Sequence, residues 1–363
     1  MVPLPVLRPN DVNRHRYAST GYLRSAILDM RPDIVDVHEE PFSACARQVL
    51  SLLPRALPAV GYTAQNLDKR YPHPFTRWER AAYSRLSGLY PCSRQAAAVT
   101  RLRGYRGHVE VLPLGVDSAL FTPGNQRHDD PVFQVALVGR LVPEKGVLDA
   151  LDAFSSLLSV RPGRMILAGE GPLRPSLPAL LRERGLELNV DLLPWLDAAG
   201  VASLYGSSHV VLVPSRSTSR WVEQFGRMVP EAQACGAVVV GYASGSLPEV
   251  GDGAAVLAAE GDAVGLGSAL RHVAVNPQLW NARRHAGLVG ASAFAWEAVG
   301  SRQLAFYEAA AATELVTPFG RVSRTTSEFG APAWTTGGVT RPFALPVLRE
   351  WPAAARALTP GDF

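Results

Sequence analysis

Glu223-Gln-Phe-Gly-Arg-Met-Val-Pro-Glu231 sets two carboxylates eight positions apart, with Phe225-Gly226 just after the first. An apolar, strand-like run, Val210 to Val213, and a loop, Pro214 to Val222, lead into this stretch, and a helical pattern running to Cys235-Gly236 follows it. The order predicts one βα unit, with Glu223 on the loop, the helix start around Gly226 and Glu231 about two turns in. Unpaired N–H groups at a helix start suit an anion. Carboxylates instead accept hydrogen bonds from hydroxyls, as on a sugar or a ribose. Phosphate donors in the middle and hydroxyl acceptors at each end describe a nucleotide-sugar pocket.

A second stretch points the same way. Val138-Gly139-Arg140-Leu141-Val142-Pro143-Glu144-Lys145-Gly146 follows the apolar run Val132 to Val138 and opens a helix. Arg140 and Lys145 lie five apart across a turn, so both can reach one diphosphate. Of 36 basic residues only Lys69 and Lys145 are lysines. A compact ammonium suits a point-like phosphate charge, and the bland alternative is a surface ion pair with Glu144.

These stretches, with Glu231-Ala-Gln-Ala-Cys-Gly236, Val238 to Val240 and Ser244-Gly-Ser-Leu-Pro-Glu249, resemble the retaining glycosyltransferases of family 4. The four motifs run in order over some 110 residues, with weaker likeness over roughly 20 to 311. Taken singly each is weak: a bare Glu pair is usually two solvated helix charges. The resemblance implies a GT-B architecture, two Rossmann-like parallel-sheet domains facing each other across a cleft. It implies that Gly139, Arg140, Lys145, Gln224, Phe225, Gly226 and Glu231 bind a UDP- or GDP-sugar, Glu231 through the ribose and Glu223 through sugar hydroxyls. His38, at the end of the strand-like Ile34 to Val37, is implied to face the donor sugar beside Glu223. The bland reading is a strand-end histidine with a satisfied hydrogen bond. Retention in this family is ascribed to front-face attack, with the leaving diphosphate taking the proton. No cofactor and no metal are expected, because no Asp-x-Asp pair follows a strand.

The rest of the chain fits two α/β units. Strand-like runs are Asp33 to His38, Leu57 to Thr63, Gly88 to Cys92 and His108 to Leu112, then Val132 to Val138, Arg164 to Ala168, Leu188 to Leu193, His209 to Val213, Ala237 to Gly241 and Ala254 to Leu257. Helical patterns separate them, which argues for parallel sheets covered on both faces, with ligands beyond the carboxyl ends of the strands. The expected divisions are 1–123, 124–293, a crossover helix within 294–316 and a poorly ordered tail, 317–363, rich in Thr, Gly, Pro and Ser. Pro113 to Pro131 reads as the linker. Residues 1–20 carry no strand signal, and no strand with a Gly-rich turn precedes Asp33. The first domain is therefore expected to be incomplete, which keeps a second reading open: an inactive, nucleotide-binding remnant of such an enzyme. A GT-B epimerase or phosphorylase fits the motifs less well.

At 363 residues and 47% hydrophobic, the chain can fill two cores. Cys45, Cys92 and Cys235 have no disulfide or metal spacing, the pattern of a reduced, cytoplasmic protein. Residues 1–123 hold sixteen basic and ten acidic groups, and Lys69 to Arg106 alone nine and one. Interleaved aromatics there, including Tyr71, Trp78 and Tyr105, read either as the core side of a solvated helical face or as part of a patch for anionic lipid. The second alternative puts the protein peripherally at the inner face of the membrane, acting on a glycan or lipid-linked acceptor. Nucleic acid is not expected, since no recognised module accompanies the patch.

Overall fold

A computed structural model describes residues 3–312 and the backbone of two short strands, Val316–Thr317 and Gly320–Arg321. The rest of the expected tail lies outside the described residues.

Two all-parallel sheets carry the fold. The first has strands β3 (Val35–Val37), β4 (Ala59–Thr63), β5 (Gly88–Pro91) and β6 (His108–Val109), side by side in that order. Helices α2 (Ala44–Leu52), α3 (Phe75–Arg85) and α4 (Arg94–Leu102) connect them. Ser43 and Ser93 cap α2 and α4, each hydroxyl accepting from the backbone N–H three residues on. Ahead of this sheet come a small antiparallel hairpin, β1 (Val6–Leu7) and β2 (Arg16–Tyr17), and helix α1 (Thr20–Asp29). The hairpin contradicts the expectation of no strand in residues 1–20, because two-residue strands are too short to show a period.

The second sheet has six strands in the order β12-β11-β10-β7-β8-β9. They are β7 (Phe133–Val138), β8 (Gly163–Ala168), β9 (Val190–Leu193), β10 (Val210–Val213), β11 (Val238–Tyr242) and β12 (Val256–Ala258). Every residue of β10 and β11 is buried, as parallel strands covered on both faces require. Helices α5 (Val147–Leu158), α6 (Leu177–Glu183), α7 (Ala198–Ser207), α8 (Met228–Ala234), α9 (Leu247–Gly251), α10 (Ala263–Val275) and α11 (Pro277–Ala291) surround it. Asn276 caps α11 with Pro277 at its first position.

Strand β7 sits in the middle, next to β8 on one side and β10 on the other. The order reverses there, and the loops after these strands meet at one edge of the sheet. The segment expected to be a linker is packed: Val116, Phe121 and Gln126 are buried, and Gln126 Nε2 donates to Ser208 O at 2.9 Å. The last helix among the described residues, α12 (Trp296–Ala312), returns to the first sheet. There Phe306 meets Tyr90 edge-on at 5.6 Å and stacks on His108, while Arg302 pairs with Glu110 at 2.9 Å. A Cβ on Gly88 would lie 2.7 Å from the Phe306 ring, so glycine is what lets the helix dock.

Candidate functional site between the two sheets

The loops after β7, β8 and β10 lie backbone to backbone. Gly169, with φ +146°, has its Cα so close to Gly139 that a Cβ would lie 1.9 Å from the Gly139 carbonyl. Gly146 (φ +66°) similarly faces Pro214, at 2.0 Å for an added Cβ. This contact seats the 3-10 turn Pro143–Lys145 under the loop that carries Glu223.

Lys145 and Glu223 meet there. Lys145 Nζ lies 2.5 Å from Glu223 Oε2, both side chains are nearly buried, and Trp221 covers the ammonium with its ring at 4.9 Å. Ser215 Oγ donates to the same carboxylate oxygen at 2.8 Å. The expected alternative partner of Lys145, Glu144, is not the one the fold selects. The Glu223 carbonyl accepts from Asn66 Nδ2, in the first unit, at 2.9 Å, and from Ser246 N at 3.1 Å. Glu223 is thus held at side chain and backbone, and one of its partners comes from the other unit.

The remaining residues of the quoted stretch differ in what they offer. Gln224 is exposed at the side chain, and its carbonyl accepts from Ser246 Oγ at 2.7 Å and Cys92 Sγ at 3.8 Å. Phe225 is buried, with its ring edge-on to Phe294. Gly226 has φ +80°, which delays the helix to Met228. Glu231 therefore stands in the first turn of α8, not two turns in. Its carboxyl is largely enclosed, 3.0 Å from Arg227 Nε, and burial pushes it up to about 7 against the opposing pull of Arg227. Arg140 is half-buried on the turn after β7, beside Gly139.

His38 lies beyond the end of β3, exposed and stacked on Tyr62 with ring centroids 4.2 Å apart. Its Nδ1 is 3.1 Å from Tyr90 Oη, and that hydroxyl sits 2.7 Å from both oxygens of Asp36. A carboxylate only accepts, so Tyr90 donates to Asp36 and accepts from the His38 Nδ1–H. That pairing leaves the Nε2 lone pair of His38 open. Tyr307 of α12 also donates to Asp36, at 2.5 Å, so the returning helix holds the relay. Next to His38, Glu40 binds Thr63 Oγ1 at 2.7 Å and Ala64 N at 2.9 Å, and enclosure pushes its carboxyl up to about 7.

A crevice of about 280 Å³ between the units is lined by Cys92, Arg94, Phe225, Glu249 and Arg302. It does not include Lys145, Glu223 or Glu231. Glu249, from the Ser244 to Glu249 motif, caps the start of α4: both of its oxygens accept from Arg94 N, at 2.9 and 2.8 Å. That carboxylate ties the second unit to the first.

The family described as Glycosyl transferases group 1 matches residues 121–284, and the one described as Glycosyltransferase Family 4 matches residues 1–120. This chain belongs to glycosyltransferase family 4, the glycosyl transferases group 1. Among relatives of this family 4 chain is the D-inositol 3-phosphate glycosyltransferase of Segniliparus rotundus. It is 34% identical over 216 residues, 56% of this chain and 47% of the relative. The chain spans about half the length of the curated relatives it matches. Sucrose-phosphate synthase from Thermosynechococcus elongatus shares the fold with TM-score 0.62 at 20% identity, over 80% of this chain and 76% of that one. Anabaena HepE, solved in complex with UDP and glucose, gives TM-score 0.62 at 18% identity over 80% and 83%. The fold is GT-B, as the motifs implied.

Sequence reading of this family 4 member missed Ser215, Asn66 and Trp221, all of which touch Lys145 or Glu223. It also missed the Asp36–Tyr90 relay behind His38. Within the basic segment 69–106 the fold itself takes up some of the cations and aromatics. Arg103 is committed to Glu79 and Arg85 to the carbonyls of Pro54 and Leu57, while Tyr105 is buried and Tyr71 and Trp78 are half-buried. Among the described residues, no helix is long and apolar enough to cross a membrane.

Proposed function

We propose that this chain transfers a hexosyl unit from a nucleoside-diphosphate sugar to a hydroxyl acceptor, with retention at the anomeric carbon and without a metal ion. The observation that carries the reading is the Lys145–Glu223 pair, closed at 2.5 Å. It stores the cation for a diphosphate and the acceptor for sugar hydroxyls in one neutral contact. When the donor enters, Lys145 turns to the diphosphate with Arg140, and Glu223 accepts from the sugar. Glu231, in the first turn of α8, takes the ribose hydroxyls. Chemistry then needs positioning and charge stabilisation more than a general base. The acceptor oxygen attacks on the face the diphosphate leaves, the bond from C1 to the phosphate oxygen breaks, and the acceptor proton passes to that oxygen. His38, its Nε2 left open by Tyr90, positions the acceptor side.

UDP is the first nucleotide to test, ahead of GDP, because HepE was solved with UDP. An anionic polyol, such as an inositol phosphate, is the first acceptor, given the relatives' printed names and the excess of basic over acidic residues in 1–123. A glycan or lipid-linked acceptor reached from the membrane surface through 69–106 is the second. Calorimetry with UDP and GDP tests the donor half: tighter binding of UDP supports the reading, and binding of neither nucleotide contradicts it. Nucleotide binding without any transfer supports the inactive remnant instead.

A further inference from the structure

The N-terminal hairpin is fastened to the first sheet by a cluster that plays no part in the donor site. The turn between β1 and β2 is built on Asp11: its Oδ1 accepts from Asn13 N at 3.1 Å and Arg14 N at 3.0 Å, and its carbonyl accepts from His15 N at 2.8 Å. His15 Nδ1 lies 3.2 Å from that same carbonyl. A carbonyl oxygen only accepts, so Nδ1 carries the proton and the ring orientation is set. Nε2 is thereby aimed at Glu39 Oε1, 2.7 Å away. Cys45, a free and buried thiol in the first turn of α2, completes a group whose ligand atoms all lie within 4.8 Å of one another.

This arrangement has the marks of a metal site in both its ligands and their support. A ligating histidine commonly donates its other ring N–H to a backbone carbonyl, as His15 does to Asp11. Nitrogen, carboxylate oxygen and sulfur at one point make a donor set that suits zinc. Tetrahedral zinc at about 2.0–2.3 Å from each ligand needs ligand-to-ligand edges of roughly 3.3–3.7 Å. A small rotation of Glu39 away from Nε2 meets that demand, with Cys45 Sγ closing from the other side. His15 and Glu39 each keep some solvent exposure, so water can fill the fourth position. We propose that His15 Nε2, the Glu39 carboxylate and the Cys45 thiolate bind one zinc ion that pins the N-terminal hairpin to α2 and the end of β3. Binding releases two protons to solvent, the Cys45 thiol proton and the one that His15 Nε2 shares with Glu39. The site is structural and independent of the donor pocket, so its failure leaves the glycosyl-transfer reading untouched.

The test uses the full chain, stripped of metal by chelator dialysis and titrated with zinc alone by calorimetry and with cobalt alone by absorption. The proposal expects one equivalent of either ion, a thiolate-to-cobalt charge-transfer band and a zinc-dependent rise in melting temperature. In Cys45→Ser the band and the rise are lost, and in Cys92→Ala they persist. If Cys45→Ser fails to fold, His15→Gln replaces it, with loss of stoichiometric binding expected. Absence of the band and of the rise in the parent chain, or their survival in Cys45→Ser and His15→Gln, would overturn the site and leave His15–Glu39 as a plain ion pair.

Discussion

Lys145 and Glu223 neutralise each other across 2.5 Å, although they come from turns after two different strands, β7 and β10. The pair is nearly buried, so each charge depends on the other: removing one partner of such a pair commonly costs about 3–5 kcal/mol. On the proposed donor reading, the closed pair competes with the nucleotide for Lys145.

Glu223→Gln follows directly from that competition. Losing the carboxylate frees Lys145 for the diphosphate, worth ~1.4 kcal/mol or about tenfold in affinity. UDP should bind more tightly to this variant by calorimetry while sugar transfer falls. Weaker UDP binding would break the link between the pair and the diphosphate. Lys145→Ala should do the reverse, lowering UDP affinity by ~1.5–3 kcal/mol for a lost charged hydrogen bond.

Glu231 gives a pH prediction. Its folded-state carboxyl titrates at about 7, above its ordinary value of 4.5, so folding takes up a proton between those limits. Stability must therefore fall as pH rises from 4.5 to 7, by roughly 3 kcal/mol, and stay lower above that. Glu40 titrates in the same window, so the readout is the difference between parent and Glu231→Gln. Denaturant melts at pH 8 should show Glu231→Gln more stable than the parent, with the advantage gone by pH 4.5. UDP affinity should drop in the same variant because the ribose contacts are lost. A variant that is equally stable at pH 8 would mean that the carboxyl is solvated.

Tyr90→Phe tests the relay behind His38. It removes the hydroxyl that fixes the His38 tautomer, a hydrogen bond worth about 1 kcal/mol, so turnover should fall roughly fivefold. UDP affinity should not change, because Tyr90 belongs to the first sheet. An equal loss in UDP affinity would assign Tyr90 a packing role only.

What could be read from the sequence follows from which signals are local. Val210–Val213 and Val238–Tyr242 announced themselves because strands buried on both faces are continuous apolar runs. The pairing of Lys145 with Glu223 is not legible in the sequence, since spacing along a chain does not say which side chains of two separate loops will meet. Asn66 carried no signal: it reaches the Glu223 carbonyl across 157 positions of chain. The start of α8 was misplaced because Gly226 adopts a left-handed conformation that holds the chain out of the helix for two more residues. Phe225 reads as part of a binding motif, yet its ring is buried against Phe294.

Metal-independent hexosyl transfer with retention can be read in a single assay. The full chain is incubated in EDTA with UDP- or GDP-hexoses and a set of acceptors led by an inositol phosphate, and the product's anomeric proton coupling is read by NMR. The expected product is a glycoside with the donor's own anomeric configuration, formed at the same rate with and without the chelator. An inverted product, or turnover that vanishes in EDTA and returns with manganese, would contradict it.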